Sequence, residues 1–188
     1  LVKAALKKGV IHLDTAHVYQ GGRNEEMLGR LLQDYPRDSY IIASKVKVDG
    51  FDSETGKYSE ETNPDEVFEK LNISLGRLGL DYVDILYLHA IQSYDGALYK
   101  PILKNLKKVK KSGKARFLGV STHRNMPEVI DAVVDSKIYD VVLTTYNFQM
   151  KDDRKMEEAI KRAGEAGIGI VGMKTMAGGY LDKERTKK

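Results

Sequence analysis

The sequence predicts an α/β fold on a parallel sheet, and three observations carry that prediction. Short apolar, β-rich runs recur six times along 188 residues, amphipathic helical stretches separate them, and most of the runs lack polar/apolar alternation. Strands joined by helical crossovers run parallel, and strands without alternation are buried on both faces. A doubly wound open sheet and a β/α barrel both satisfy this pattern. No Gly-x-Gly-x-x-Gly follows the first run, so a dinucleotide site of the doubly wound kind loses support.

The opening segment LVKAALKK reads as the tail of a helix that would follow an absent first strand. Residues 10–14, 40–45, 82–88, 117–121, 141–145 and 167–173 read as strands. Between them, 25–32 carries apolar residues at 27, 28, 31 and 32, a helical stripe. Residues 64–78 open with NPDE, an N-cap followed by proline at the first helical position. Helices at 99–111, 127–134 and 154–166 follow the same logic, two of them stopping at Gly113 and Gly167. The long polar loop 46–62 carries Phe51 and Tyr58, either as substrate contacts or as exposed aromatics without a role. After GGYLDKERTKK no further strand is visible. About six β/α units are present where a closed barrel needs eight, and two open edges would be a liability for solubility.

Composition narrows the function classes. Hydrophobic residues at 41% and charged residues at 31% are ordinary for one globular domain spanning 1–188. No apolar run is long enough to span a membrane. Without cysteine, the chain has no disulfide, thiolate nucleophile or cysteine-held cluster of its own. These features suit a cytoplasmic protein, although the chain opens at Leu1 without an initiator Met. A net charge of +4 is mild. Its densest basic run, LKKVKKSGKAR, closes a predicted helix, where cations complement the helix dipole, so no nucleic-acid surface is expected.

The ends of the runs carry the chemistry. Asp14 closes the first run, Tyr19 lies in the loop beyond it, Lys45 closes the second and His89 ends the third. In a barrel the C-terminal strand ends form the site, and consecutive strands would set these four side by side. An ammonium at the end of IIASK is costly to bury without an anion, and Asp14 on the neighbouring strand supplies one. A lysine about 4 Å from a tyrosine oxygen favours the phenolate by at most ~4 kcal/mol at an effective dielectric of 20. Tyr19 would then serve as general acid to a carbonyl oxygen while a hydride reaches its carbon, with His89 donating a hydrogen bond beside it. Taken singly, an acid at a strand end is a turn or cap residue, and a lone lysine or histidine there is packed or solvated. Four together at adjacent ends favour chemistry.

The stretches HLDTAHVYQGGRNEEMLGRLL, ASKV, SLGRLGLDYVDILYLHA and KARFLGVSTH make the chain recognisable. It resembles the aldo-keto reductase superfamily over nearly its whole length. The resemblance implies a (β/α)8 TIM-type barrel, here about six central units lacking the first and last strands. It implies NADP(H) or NAD(H) as cofactor, a small carbonyl or alcohol substrate, and Asp14, Tyr19, Lys45 and His89 as the catalytic tetrad. Ser121 matches a residue that holds the nicotinamide carboxamide; Thr122 follows where many members have Asn. Leu143 stands where many have Gln, and Met173 where an aromatic ring stacks on the nicotinamide. Lys174, in KTMAGG, matches a phosphate-contacting loop. TH and KTMAGG also resemble a branch in which some members carry a C-terminal iron–sulfur segment; here it would lie beyond Lys188, as would the region that distinguishes NADP from NAD.

Two competing readings remain at this stage. His12, Asp14, His89 and His123 could ligate Zn²⁺ in a hydrolase, but that leaves Lys45 and Tyr19 without roles, and no metal site is expected. A non-catalytic cofactor-binding subunit could use the same scaffold, as potassium-channel β-subunits do. A truncated barrel could also be inactive although its parent is an enzyme.

Overall fold

The computed structural model describes residues 1–150 and 153–176. Its strands are β1 (His12–Asp14), β2 (Ile41–Val46), the two-residue strands β3 (Phe51–Asp52) and β4 (Lys57–Tyr58), β5 (Val83–Leu88), β6 (Ala115–Thr122), β7 (Val141–Thr145) and β8 (Gly169–Met173). Its helices are α1 (Val2–Lys7), α2 (Arg23–Leu32), α3 (Glu66–Leu78), α4 (Tyr94–Ala97), α5 (Lys100–Lys111), α6 (Met126–Ser136) and α7 (Arg154–Glu165). Six strands form one sheet in the order β1-β2-β5-β6-β7-β8, every neighbouring pair parallel. Apart from the β3–β4 hairpin, spatial order follows chain order, as in a β/α barrel. Among the described residues the sheet stays open, a partial barrel with β1 and β8 at its edges.

Side chains alternate across the strands. Ile42, Leu86, Leu88, Leu118, Val120 and Val142 face the helices and meet Leu71, Leu75, Ile102, Leu106, Ile130 and Met156 in the main core. The other face forms a smaller cluster of Ala43, Ile85, Tyr87, Val141 and Leu143, with Val171 and Met173 against it. On that inner face nearer the strand starts, Ile41 and Phe117 remain 38% and 51% exposed. Asp84 ties those starts together. Its oxygens accept from Arg37 (2.7 Å), Arg116 (3.1 Å) and the Ile42 amide (2.9 Å).

The structure moves several expected boundaries. The first strand begins at His12, because the Val10 amide turns back to Ala5 O to close α1, leaving Val10 and Ile11 exposed. Pro64 lies outside its helix: Asn63 accepts the Asp65 amide through its side chain and the Glu66 amide through its carbonyl, making a turn before α3. The polar loop contains the β3–β4 hairpin, tightened by Asp52 accepting from the Glu54 amide and Thr55 hydroxyl. Phe51 and Tyr58 are half-buried in an aromatic row with Tyr99, successive centroids 5.0 Å apart, rather than free at the loop surface. The lysines ending α5 are exposed, and Lys110 pairs with Asp140 at 2.7 Å. No helix among the described residues is long and apolar enough to cross a membrane.

Candidate active site

Beyond Asp14 the chain stays against β2. The Thr15 amide donates to Ala43 O (2.9 Å) and the His17 amide to Lys45 O (3.0 Å), which fastens the Tyr19 loop to the strand carrying Lys45. The loop turns through Gln20, Gly21 and Gly22 at φ of 52°, 65° and 93°. Gly22 answers two demands, a left-handed backbone and space. A Cβ there would fall 2.3 Å from the Arg77 guanidinium carbon. Arg77 reaches over from α3 to donate to His17 O (2.9 Å) and to pair with Glu25 (3.2 Å). The other Glu25 oxygen accepts from Ser44 at 2.6 Å, beside Lys45, and Glu25 is fully buried. One carboxylate therefore joins α2, α3 and β2 behind the site.

Lys45 is 2% exposed and spends its three N–H groups on three acceptors. These are Asp14 Oδ2 at 2.5 Å, Thr15 O at 2.7 Å and the Tyr19 hydroxyl oxygen at 3.3 Å. An ammonium can only donate, so the Tyr19 oxygen accepts and its own proton is left for another partner. Asp14 and Tyr19 are each more than a third exposed, on the open side of the ammonium. Tyr19 meets His89 edge to face, with ring centroids 5.9 Å apart and planes at 77°.

His89 continues the β5 ladder, its amide donating to Val46 O at 2.9 Å. Ala90 then adopts φ 58°, a costly conformation for alanine, held by a bond from its amide to Ser121 Oγ at 2.9 Å. Burial first, then the positive charges of Lys45, His123 and Lys47, pushes His89 down to about 4, so its imidazole is neutral at neutral pH. His89 Nδ1 is buried with no hydrogen-bond partner among the described residues. Asp14, Tyr19, Lys45 and His89 thus converge on one place.

The remaining candidates are less uniform. Ser121 is 1% exposed, on the inner face opposite Leu143 in register. Thr122 alternates to the helix-facing side, fully buried, and its hydroxyl donates to Arg124 O at 2.8 Å. It does not join Ser121 on the inner face. Met173 is half-buried there against the Leu143 cluster. Lys174 follows β8 on the surface at φ 53°. Burial, then the Lys174 and Lys45 cations, pushes His123 below its usual value. Residues 177–179 of KTMAGG lie outside the described residues. His12, Asp14, His89 and His123 make no metal centre: among the described residues no group of three or more His, Cys, Asp or Glu could hold an ion.

Sequence reasoning missed Thr15, Glu25, Ser44 and Arg77. Ser44 inside an apolar strand run was the one visible signal, since a buried hydroxyl needs a partner. Arg77 lies 52 residues from Glu25, a pairing only the fold reveals.

Comparison with known proteins identifies relatives of this chain. The model of the "Aldo/keto reductase family" matches residues 1–188. L-galactose dehydrogenase of Arabidopsis thaliana is 30% identical over 194 aligned positions, covering 97% of this chain and 56% of that protein. An uncharacterized oxidoreductase of Bacillus subtilis is also 30% identical, over 98% of this chain and 57% of its own length. The chain therefore spans about half the length of the curated relatives it matches. The structure of an aldo-keto reductase from Bacillus halodurans in its holo form superposes with a TM-score of 0.75 at 28% identity, covering 96% of this chain and 58% of that one.

Proposed function

Because the chain belongs to the aldo/keto reductase family, we propose that it is the catalytic part of an NADP(H)- or NAD(H)-dependent oxidoreductase that reduces an aldehyde or ketone to an alcohol. One observation carries the reading. A fully buried lysine bridges an aspartate and a tyrosine hydroxyl beside a neutral histidine, all at or just beyond the C-terminal ends of neighbouring parallel strands. Asp14 neutralises and aims Lys45. Lys45 stabilises charge that develops on the Tyr19 oxygen as Tyr19 passes its proton to the carbonyl oxygen. His89 orients that oxygen from the other side by donating a hydrogen bond.

The residues present fit a nicotinamide cofactor. Ser121 Oγ accepts the Ala90 amide and keeps its own proton to donate to a carboxamide. Leu143 and Met173 supply an apolar wall for a flat ring, and the Lys174 ammonium supplies charge for a phosphate. Thr122 braces the turn to Arg124 that fixes the end of β6. The reduced cofactor, when bound, supplies the hydride. Among the described residues β1 and β8 are each paired on one side only, and together with the exposed inner residues Ile41 and Phe117 this supports reading the sheet as the larger arc of a (β/α)8 barrel.

Thermal unfolding with NADPH or NADH tests this reading on the 188-residue chain and on the complete polypeptide. A transition that rises with cofactor concentration is expected from the complete polypeptide. If the shorter chain fails to respond while the longer one does, the arc alone is not the working unit. Indifference of both to both cofactors contradicts the proposal.

A further inference from the structure

The buried side of the Tyr19 loop rests on one guanidinium. Arg77 meets the loop before Tyr19, donating to His17 O at 2.9 Å, and again after it at Gly22, where a Cβ would fall 2.3 Å from the guanidinium carbon. The His17 side chain turns back onto the same group. Its Nδ1 is 3.4 Å from Arg77 Nη1 and 3.2 Å from the hydroxyl of Ser74, which is fully buried on α3. A guanidinium only donates, so Nδ1 faces it as an acceptor. The ring proton then belongs on Nε2, and the Ser74 hydroxyl donates to Nδ1 as well. An imidazole held in this way carries no charge.

We propose that His17 is a positioning residue for Tyr19: its uncharged ring caps the guanidinium that seats the Tyr19 loop, and a proton taken up on Nδ1 unseats it. The charged groups that face the ring are Arg77 and Lys70 on α3 and Glu25 on α2, while β2 meets it through the Lys45 carbonyl, which accepts the His17 amide at 3.0 Å. Protonation would set an N–H against the Nη1 donor and a second cation beside Arg77. The nearby carboxylate is already committed, since Glu25 takes Arg77 at 3.2 Å and Ser44 at 2.6 Å. A charged ring cannot keep its contact with the guanidinium. Its withdrawal shifts the segment that leads to the Tyr19 hydroxyl, whose contact with Lys45 Nζ is already long at 3.3 Å, and misplacing a proton donor slows its reaction. Burial first, then the Arg77 charge, holds His17 below its usual value against the opposing pull of Glu25. The ring therefore stays uncharged at neutral pH and takes up its proton below histidine's ordinary range.

This inference rests on the reductase reading, and the test separates the two. In the complete polypeptide, single-turnover carbonyl reduction is followed at pH 7.5 and pH 5 in the parent and in His17→Asn, whose amide oxygen keeps an uncharged acceptor near the place of Nδ1. His89 and His123 are also held below their usual values, in both proteins, so the readout is the ratio of the two rates. The parent's fall in rate should exceed the variant's by about threefold or more, with cofactor affinity changing alike in both. Nitrogen shifts of the His17 ring give a readout that needs no activity. At pH 7.5 Nδ1 should be unprotonated, and the Tyr19 and Gly22 amide signals should move with the same midpoint as the ring. Equal rate ratios in parent and His17→Asn, or a proton on Nδ1 at pH 7.5, would overturn the proposal, and the second decides even where His17→Asn does not fold. Ring and amide signals that behave as expected in a protein that reduces no carbonyl would uphold the seating of the loop and sink the reductase reading instead.

Discussion

Replacing Lys45 by Met probes the electrostatics of the site most sharply. The ammonium lies 3.3 Å from the Tyr19 oxygen. At an effective dielectric of 20, a full charge at that distance stabilises a developing phenolate by about 5 kcal/mol. Asp14 at 2.5 Å neutralises part of that field, so about 2–3 kcal/mol of transition-state stabilisation should be lost. The corresponding fall in kcat is on the order of 10²-fold. Met fills most of the buried volume, and Asp14, already partly exposed, rehydrates when its partner leaves. The unfolding midpoint should accordingly change little, separating lost chemistry from lost structure. The assay is single-turnover oxidation of NADPH by a carbonyl substrate in the complete polypeptide, with cofactor affinity measured separately by fluorescence. A variant whose single-turnover rate stays within about threefold of the parent's would refute the electrostatic role argued for Lys45.

The other expectations are briefer. His89 is held at about 4 in the fold against 6.5 in an unfolded chain. Between those values the unfolded chain binds a proton that the folded one refuses, so stability should be lost as pH falls from about 6.5 towards 4 and be independent of His89 above that window. The shift corresponds to about 3 kcal/mol, reduced to about 2 by the ring's partial exposure; urea midpoints at pH 7 and 5 should show about half of it, and His89→Gln should flatten the difference. Glu25→Ala leaves Arg77 and Ser44 without their buried partner and should cost about 3 kcal/mol in denaturant unfolding. A loss under about 0.5 kcal/mol, the scale of a surface substitution, would show that this network is not what anchors the Tyr19 loop.

The six sheet strands were legible because buried parallel strands are written as uninterrupted apolar runs, and a run such as DILYL has no other good home. Polar residues at the ends of those runs were conspicuous for the same reason. Asp14, Lys45 and His89 each break an apolar stretch, which is why the candidate site could be read before any geometry. What escaped depends on contacts between distant segments. The Glu25–Arg77 pair looks in sequence like two ordinary helix charges, and Ser44 like a tolerated small residue, until α3 packs across α2. Thr122 shows what adjacency in sequence leaves unsaid: strand alternation turns its side chain away from the face that carries Ser121. The β3–β4 hairpin is too short for a periodic signal, and Asp52 and Gly56 mark it only as a turn.

Single-turnover reduction of a carbonyl by the complete polypeptide, parent against Tyr19→Phe, tests the central claim most directly. Tyr19 is the residue asked to deliver the proton, and Phe retains its contact with the His89 ring. The variant should bind NADPH as the parent does and lose carbonyl reduction by about 10²-fold or more. Full activity in Tyr19→Phe would remove Tyr19 from the acid role and contradict the mechanism.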